Sequence, residues 1–412
     1  MRARTERRCA RIKILFNPIA DFYDQTGYPR VHMYEEMMAV YEKKEGSPLV
    51  FHPRLRHWYN VNFNAGTLPE MYKGMYLDEV YGALDVPPRE VWGPRRISSE
   101  LSGYFALNAV DGDDIEVWTR KLTGYMGESE DEYLITEYRT TEGSLRQVQR
   151  YTEHGTSLMN VEYFLKDLED LKVFEYILGE RSYGWDQSRY EWGKVRYGDA
   201  IPLRANLERS PVMWLIVGIM GFKRTVTMIW KHPEEMKEFM GVLGTEHVKQ
   251  IDAYKGKPVA ELNFVDNMHH DLCPPPYFKE YVIPFYQRVM PQVHAQGMVA
   301  SSHFDGYLKQ LLPLVGETGL DGLECVTPAP QGDVTIGEMK EGMGDMFLRD
   351  GIPAVYMCPW TPLETLKTHV RELMEVFYPR LILGISDLLP ANGDVERVRL
   401  VKEMVREFNA EL

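Results

Sequence analysis

His303 and Asp305 stand one residue apart in Ser301-Ser302-His303-Phe304-Asp305-Gly306, at the end of a short strand-like run. In an extended chain, residues two apart share a face, so both side chains are expected to point toward one cavity. An imidazole beside a carboxylate serves as a metal ligand, as a general acid with a raised pKa, or as a hydrogen-bonded turn. Glu324 lies inside the apolar run Gly322-Leu323-Glu324-Cys325-Val326. A carboxylate there must be paired, metal-bound or open to a cavity, because burying it alone is costly. Cys325 beside it reads as a small buried residue or as a thiolate ligand. Asp266-Asn267-Met268-His269-His270-Asp271 gathers further oxygen and nitrogen donors within six residues. Adjacent histidines on extended chain point opposite ways, so one of the two at most faces a cavity. Asp333 and Asp387 also follow strand-like runs, where capping the next helix is the commonest task of an aspartate.

These groups need elements to position them. Strand-like runs occur at Val259–Val265, Gly297–Ser302, Gly322–Val326, Ala354–Met357 and Leu381–Ile385. Roughly 20 to 30 residues with amphipathic helical spacing separate them, the rhythm of parallel strands with helical crossovers. Gly297, Gly319 and Gly351 precede or start strands, as expected of glycines that end helices or make turns. The polar groups follow the strands, at the end where barrels and open sheets build active sites. Helical spacing also marks Phe164–Gly179 and Pro233–Ala253, the latter started by Pro233-Glu234-Glu235. The stretch up to residue 165 is aromatic and turn-rich. Within it Glu132–Glu153 carries β-branched and aromatic residues on both sides of Thr141-Glu142-Gly143-Ser144, a hairpin signal, expected to form an insertion or lid.

The 412 residues carry a net charge of −14, which repels nucleic acid and anionic membranes and disfavours a polyanionic substrate outside a local basic pocket. Arg2 to Arg11 form a basic start, expected as a solvated tail. Cys9, Cys273, Cys325 and Cys358 are far apart, fitting neither a disulfide framework nor a cysteine zinc ribbon. Together with the lack of a visible leader, this is the reading of a cytoplasmic protein. Pro211–Phe222 is about a dozen residues against the roughly 20 that span a bilayer, and is expected as a buried helix. Dinucleotide, phosphate-loop, nucleophile-elbow and His-Glu-x-x-His motifs are absent from the sequence.

The span from Asp266 to Asp394 resembles the uroporphyrinogen decarboxylase superfamily. His303-Phe304-Asp305-Gly306, Gly319-Leu320-Asp321-Gly322-Leu323-Glu324 and Ile382-Leu383-Gly384-Ile385-Ser386-Asp387 carry the resemblance. It implies a (β/α)8 TIM barrel, here with an N-terminal extension and a β-hairpin insertion. Residues 1–165 would supply the extension, early barrel elements and hairpin, and residues 166–412 the rest of the barrel with the active site. The decarboxylases of the superfamily carry an arginine-rich N-terminal motif, for which Arg54 and Arg56 are a poor substitute. Its thiol-alkylating zinc enzymes use His-x-Cys and a later Cys; here His303 matches, but Asp305 and Ser386-Asp387 stand in the other places.

The chain therefore looks like the branch that moves a methyl group from a methoxylated, aromatic compound to the cobalt of a corrinoid protein. That resemblance implies Zn²⁺, with His303 and Glu324 first as ligands and His269 after them. Asp305, a further candidate ligand, joins Asp266 and Asp387 as acid, base or orienting groups. Asn267, His270 and Asp333 are expected substrate contacts. Decarboxylation of a tetrapyrrole is the alternative activity, and a homodimer is among the assemblies left open.

Overall fold

Strand β1 (Val50–Phe51) opens the main sheet, and the chain then builds two side structures before returning to it. β2 (Leu107–Val110) pairs antiparallel with a later strand, and β3 (Glu116–Thr123), β4 (Glu132–Thr140), β5 (Gly143–Thr152) and β6 (Ser157–Glu162) form a four-stranded antiparallel sheet. β7 (Ser182–Trp185) is the partner of β2. Then β8 (Arg204–Leu207), β9 (Glu261–Met268), β10 (Val299–Phe304), β11 (Gly322–Glu324), β12 (Phe347–Pro353) and β13 (Leu381–Ser386) pair in sequence order, all parallel. β13 pairs with β1, so the last strand returns to the first, as in a TIM barrel. This is a computed structural model, and it describes residues 33–89, 107–124, 131–152, 155–188, 190–191 and 201–412. Cys9 and the basic start Arg2 to Arg11 lie outside the described residues.

The main sheet has seven hydrogen-bonded strands among the described residues, one fewer than the eight expected. Residues 86–89 run beside the end of β1, where His52 Nε2 lies 3.3 Å from Pro88 O and Arg89 donates to His52 O at 3.1 Å. Pro87 and Pro88 have no N–H to give a ladder, which limits this segment to side-chain and carbonyl contacts.

Alternation along the strands divides two environments. On β9, Glu261 and Asn263 face the barrel interior, where Ser301 Oγ donates to both at 2.5 and 2.9 Å. Asp266 faces the surrounding helices, on the side of Tyr286 from the helix Ile283–Ala295. On β10, Ser301 and His303 point inward, whereas Ser302 points out to Asp266. Two backbone departures then add to the interior. Cys325 (φ 65°) and Asp350 (φ 79°) are left-handed, a conformation that costs a non-glycine residue about 1–3 kcal/mol. Arg349 and Asp350, though consecutive, both reach interior partners, Glu261 and Arg89.

The strand-start end of the barrel is closed by the helix Tyr34–Tyr41. Met37 and Val40 pack with Val50, Phe347 and Ile382, and Tyr41 donates to Glu261 at 2.6 Å. Glu261 also accepts from Arg349 at 2.5 Å and Arg204 at 3.1 Å, so the polar floor is internally paired.

Several expectations need correction. Ala354–Met357 is a 3₁₀ turn, and the strand lies just before it at Phe347–Pro353. Arg349 and Asp350 break the apolar run because this strand faces a polar interior. Gly351 (φ 103°) sits inside that strand, while Gly297 and Gly319 are left-handed turn glycines as expected. Pro211–Phe222 is a short α-turn followed by a π-helix, Trp214–Ile219, mostly buried. The hairpin forms, as β4 and β5 within the larger sheet. It is anchored to that π-helix, with Gln147 Nε2 on Gly218 O and Asn160 Nδ2 on Val217 O, both 3.1 Å. Because the π-helix follows the end of β8, the sheet attaches on the barrel's mouth side.

Candidate active site at the barrel mouth

Glu324, 1% exposed, is the hub of the mouth. Its Oε1 accepts from Arg54 Nη2 at 3.0 Å and Arg89 Nη2 at 2.6 Å. Its Oε2 pairs with Arg204 Nη2 at 2.9 Å and meets His303 Nδ1 at 3.2 Å. Three hydrogen bonds and the Arg204 ion pair thus surround a carboxylate that has about four lone-pair positions. Burial alone would raise this carboxyl's pKa, but Arg204, Arg54, the His303 contact and Arg89 hold it well below the usual range.

His303 is thereby oriented. With Nδ1–H given to Glu324, Nε2 is the free nitrogen; it is buried and has no partner among the described residues. Burial would lower its pKa, but the bond to Glu324 and the charges of Asp387, Glu324 and Asp305 push it up to about 9. Asp387 is tied to the hub, because Arg54 bonds Asp387 with Nη1 and Glu324 with Nη2. The Cys325 thiol lies 3.2 Å from Asp350 Oδ2 and 3.4 Å from Asp387 Oδ1, and burial followed by those two charges pushes its pKa well up. Arg89 forms a fork on Asp350, with Nη2 to Oδ2 at 2.9 Å and Nη1 to Oδ1. A Cβ on Gly384 would collide with Asp350 Oδ1, so this pair needs a glycine on β13.

The ligand atoms of His303, Glu324 and Cys325 lie within 4.8 Å of one another, a buried group that could hold a metal ion. Its nitrogen, oxygen and sulfur donors are those zinc accepts. A metal on the unpartnered Nε2 would displace the proton that the raised pKa keeps there, and Glu324 would have to release a guanidinium to become a ligand. In the arrangement seen, Glu324 aims the His303 ring through Nδ1, the part a carboxylate plays beside a metal-binding histidine.

The other expected residues divide. Asp305 reaches the mouth and is half-buried, with its N–H on Met268 O at 3.2 Å. Asp266 does not: it is fully buried on the outer face of β9, accepting from Ser210 N and Tyr286 Oη at 2.5 Å and Ser302 Oγ at 3.0 Å. Its expected acid-base part gives way to a structural one. Asn267, left-handed at φ 54°, accepts from Arg209 Nη2 at 2.9 Å. His269 packs near Gly306 and is not in the His303 group among the described residues. His270 Nδ1 lies 3.8 Å from Asp333 Oδ2, and Asp333 Oδ1 caps Leu308 N at 2.7 Å and Lys309 N at 3.1 Å. His270 and Asp333 thus meet, knitting the loops after β9, β10 and β11. Sequence reasoning missed Arg89, Arg204 and Asp350 and set Arg54 aside; the alternating Arg204-Ala205-Asn206-Leu207 was the signal available for one of them.

An α/β barrel with a buried polar hub at the strand ends defines an enzyme scaffold of the TIM-barrel class. The family model for uroporphyrinogen decarboxylase (URO-D) matches residues 201–408, just over half of the 412 residues, and the chain belongs to that family. No curated protein matches the chain. Among solved structures, a methyltransferase from Methanosarcina mazei aligns at TM-score 0.56 and 15% identity, covering 92% of this chain and 99% of that one. That likeness shows a shared fold. An IOLI protein with a binding zinc atom aligns at TM-score 0.29 and 12% identity over 43% of this chain and 72% of that one. A ribulose-1,5-bisphosphate carboxylase/oxygenase from Pyrococcus horikoshii OT3 aligns at TM-score 0.26 and 10% identity over 60% of this chain and 48% of that one. Among the described residues no helix is long and apolar enough to cross a membrane.

Proposed function

We propose that this chain is a cytoplasmic methyltransferase that removes the methyl group of a methoxylated aromatic compound and delivers it to the cobalt of a corrinoid protein, with zinc at the mouth. The observation that carries this reading is His303, clamped through Nδ1 and presenting a buried, unpartnered Nε2 at the mouth. That the Methanosarcina mazei neighbour is a methyltransferase accords with it. Tetrapyrrole decarboxylation is less well supported, because Arg54, Arg89 and Arg204 are matched by Glu324, Asp387, Asp350 and Glu261 rather than left open for substrate carboxylates.

In this reaction the bond from methyl carbon to ether oxygen breaks, its electron pair stays on oxygen, and the partner's reduced cobalt supplies the pair for the new bond. An aryl ether resists this because its oxygen is a poor leaving group. Zinc, if held by the His303, Glu324 and Cys325 group with Asp305 and Asp387 nearby, would supply a Lewis acid for that oxygen. Glu324 fixes the imidazole plane, and Arg54 holds Glu324 and Asp387 at one separation. Asn267 and His270 line the substrate side of the rim, with His269 beside them. Asp305, half-buried, would orient the substrate beside His303.

The test is metal analysis of the purified protein, paired with turnover of methoxylated aromatics by cob(I)alamin, read as loss of the cobalt(I) absorbance and release of the phenol. His303→Ala is expected to lose both metal and turnover. Full retention of metal in both His303→Ala and Glu324→Ala, or no demethylation by the native protein, would sink the reading.

A further inference from the structure

The helix Pro233–Ala253 is longer than the barrel needs. Its Gly244 lies against Pro211, just past the end of β8, and its His247 Nε2 lies 3.0 Å from Glu208 O. The middle of the helix is therefore level with the mouth. The residues before Gly244 rise about 16 Å beyond it at 1.5 Å each. Packed against that overhang is the helix Phe222–Lys231, which contains Lys223, Arg224 and Lys231 and no acidic residue, in a chain of net charge −14.

Phe222, Val226 and Trp230 are spaced by four and form one stripe, with Lys223, Thr227 and Lys231 on the adjoining stripe. Phe222 is 44% exposed and Trp230 79%, the largest exposure given for any large apolar side chain among the described residues. Arg224 is held inward, donating to Leu165 O and Met220 O at 3.3 Å. The buried face, Thr225, Met228 and Ile229, already secures the helix, so the outward stripe contributes little to folding. A wide aromatic bordered by cations, at the wall of a mouth, has the composition of a protein-contact centre.

We propose that the Phe222–Val226–Trp230 stripe, with Lys223 and Lys231 beside it, seats the corrinoid protein over the mouth. This rests on the function proposed above. The cobalt must meet a methyl group held near His303, so its carrier has to cover the mouth, and the overhang is a wall there. The complementary surface on the partner is an apolar patch edged by carboxylates. The lysines accelerate its approach, and Trp230 anchors it.

The experiment compares two acceptors with the full-length protein: free cob(I)alamin, and the corrinoid protein of the same host reduced to cobalt(I). Trp230→Glu and the pair Lys223→Glu/Lys231→Glu are expected to raise KM for the corrinoid protein tenfold or more. Rates with free cob(I)alamin stay within twofold of the native protein, which also shows that the variants fold. Salt should raise KM in the native protein and have little effect in the lysine variant. Unchanged KM for the corrinoid protein in Trp230→Glu overturns the seat alone. Absence of transfer to either acceptor by the native protein overturns the proposed function, and the seat falls with it.

Discussion

Replacing Glu324 by Gln is the most informative single perturbation of the mouth, because one carboxylate meets cationic groups contributed by four separate parts of the chain. The amide keeps the volume but loses the charge that faces Arg54, Arg89, Arg204 and His303. Its NH₂ must also point at one of those donors. Breaking a buried ion pair by removing one partner typically costs about 3–5 kcal/mol, since the remaining charges stay buried and uncompensated. With a urea m value at the upper end of about 3 kcal/mol per molar, that loss lowers the unfolding midpoint by roughly 1–1.7 M. Arg204→Met removes one partner from each of Glu324 and Glu261 and leaves both carboxylates otherwise paired, so a smaller loss of about 1–3 kcal/mol is expected. Urea unfolding followed by tryptophan fluorescence reads both. A Glu324→Gln midpoint within 0.3 M of the native value, about the scatter of such measurements, would refute the hub, as would a larger loss in Arg204→Met.

Three further outcomes follow from the same geometry. The His303 pKa is raised from 6.5 to about 9, so its charge contributes stability that is fully present below pH 6.5 and is lost as pH rises through about 9. At 1.36 kcal/mol per unit that contribution is about 3 kcal/mol, and metal-free His303→Gln should flatten the stability profile between those pH values in urea titrations. Gly384→Ala drives a methyl group into Asp350 Oδ1 and should cost roughly 2–4 kcal/mol by displacing the Arg89 pair, measured as a lowered unfolding midpoint. Asp266→Ala should cost about 1–3 kcal/mol by stranding Ser210 N and leaving Tyr286 Oη with Ser302 Oγ, yet keep kcat/KM of the folded fraction within threefold, because Asp266 faces the helices; a hundredfold loss of kcat/KM with unchanged stability would restore it to the mouth.

How much of this was legible depended on burial by apolar neighbours. Strands β9, β10, β11 and β13 carry apolar residues on their outer faces and were found close to their places. β12 was displaced because Phe-Leu-Arg-Asp-Gly-Ile-Pro holds two charges inside a polar barrel, and pattern reading expects charge to end a strand. The pairing of His303 with Glu324 across β10 and β11 was anticipated only as two separate candidates, and register supplied the contact. The arginines were hidden for a different reason. Arg54 and Arg89 follow a two-residue strand and a Pro-Pro pair, segments with too little periodicity to show which way a side chain points. Asp266 misled because a polar residue after a strand looks the same whether it turns toward the mouth or toward a tyrosine behind it.

The closed floor has a kinetic meaning. Among the described residues, Met37, Val40 and Tyr41 close the strand-start end below the Glu261 pairs, so His303 is approached from the mouth side. Under the proposed function, a small molecule and a carrier protein both use the mouth, and a seated carrier would shut out the aromatic compound. Traffic through the enzyme should therefore be compulsory, with the small substrate entering first and its phenol departing only after the carrier has lifted away. Initial-rate patterns with the phenol as inhibitor would show that queue, and random-order patterns would mean a second entrance.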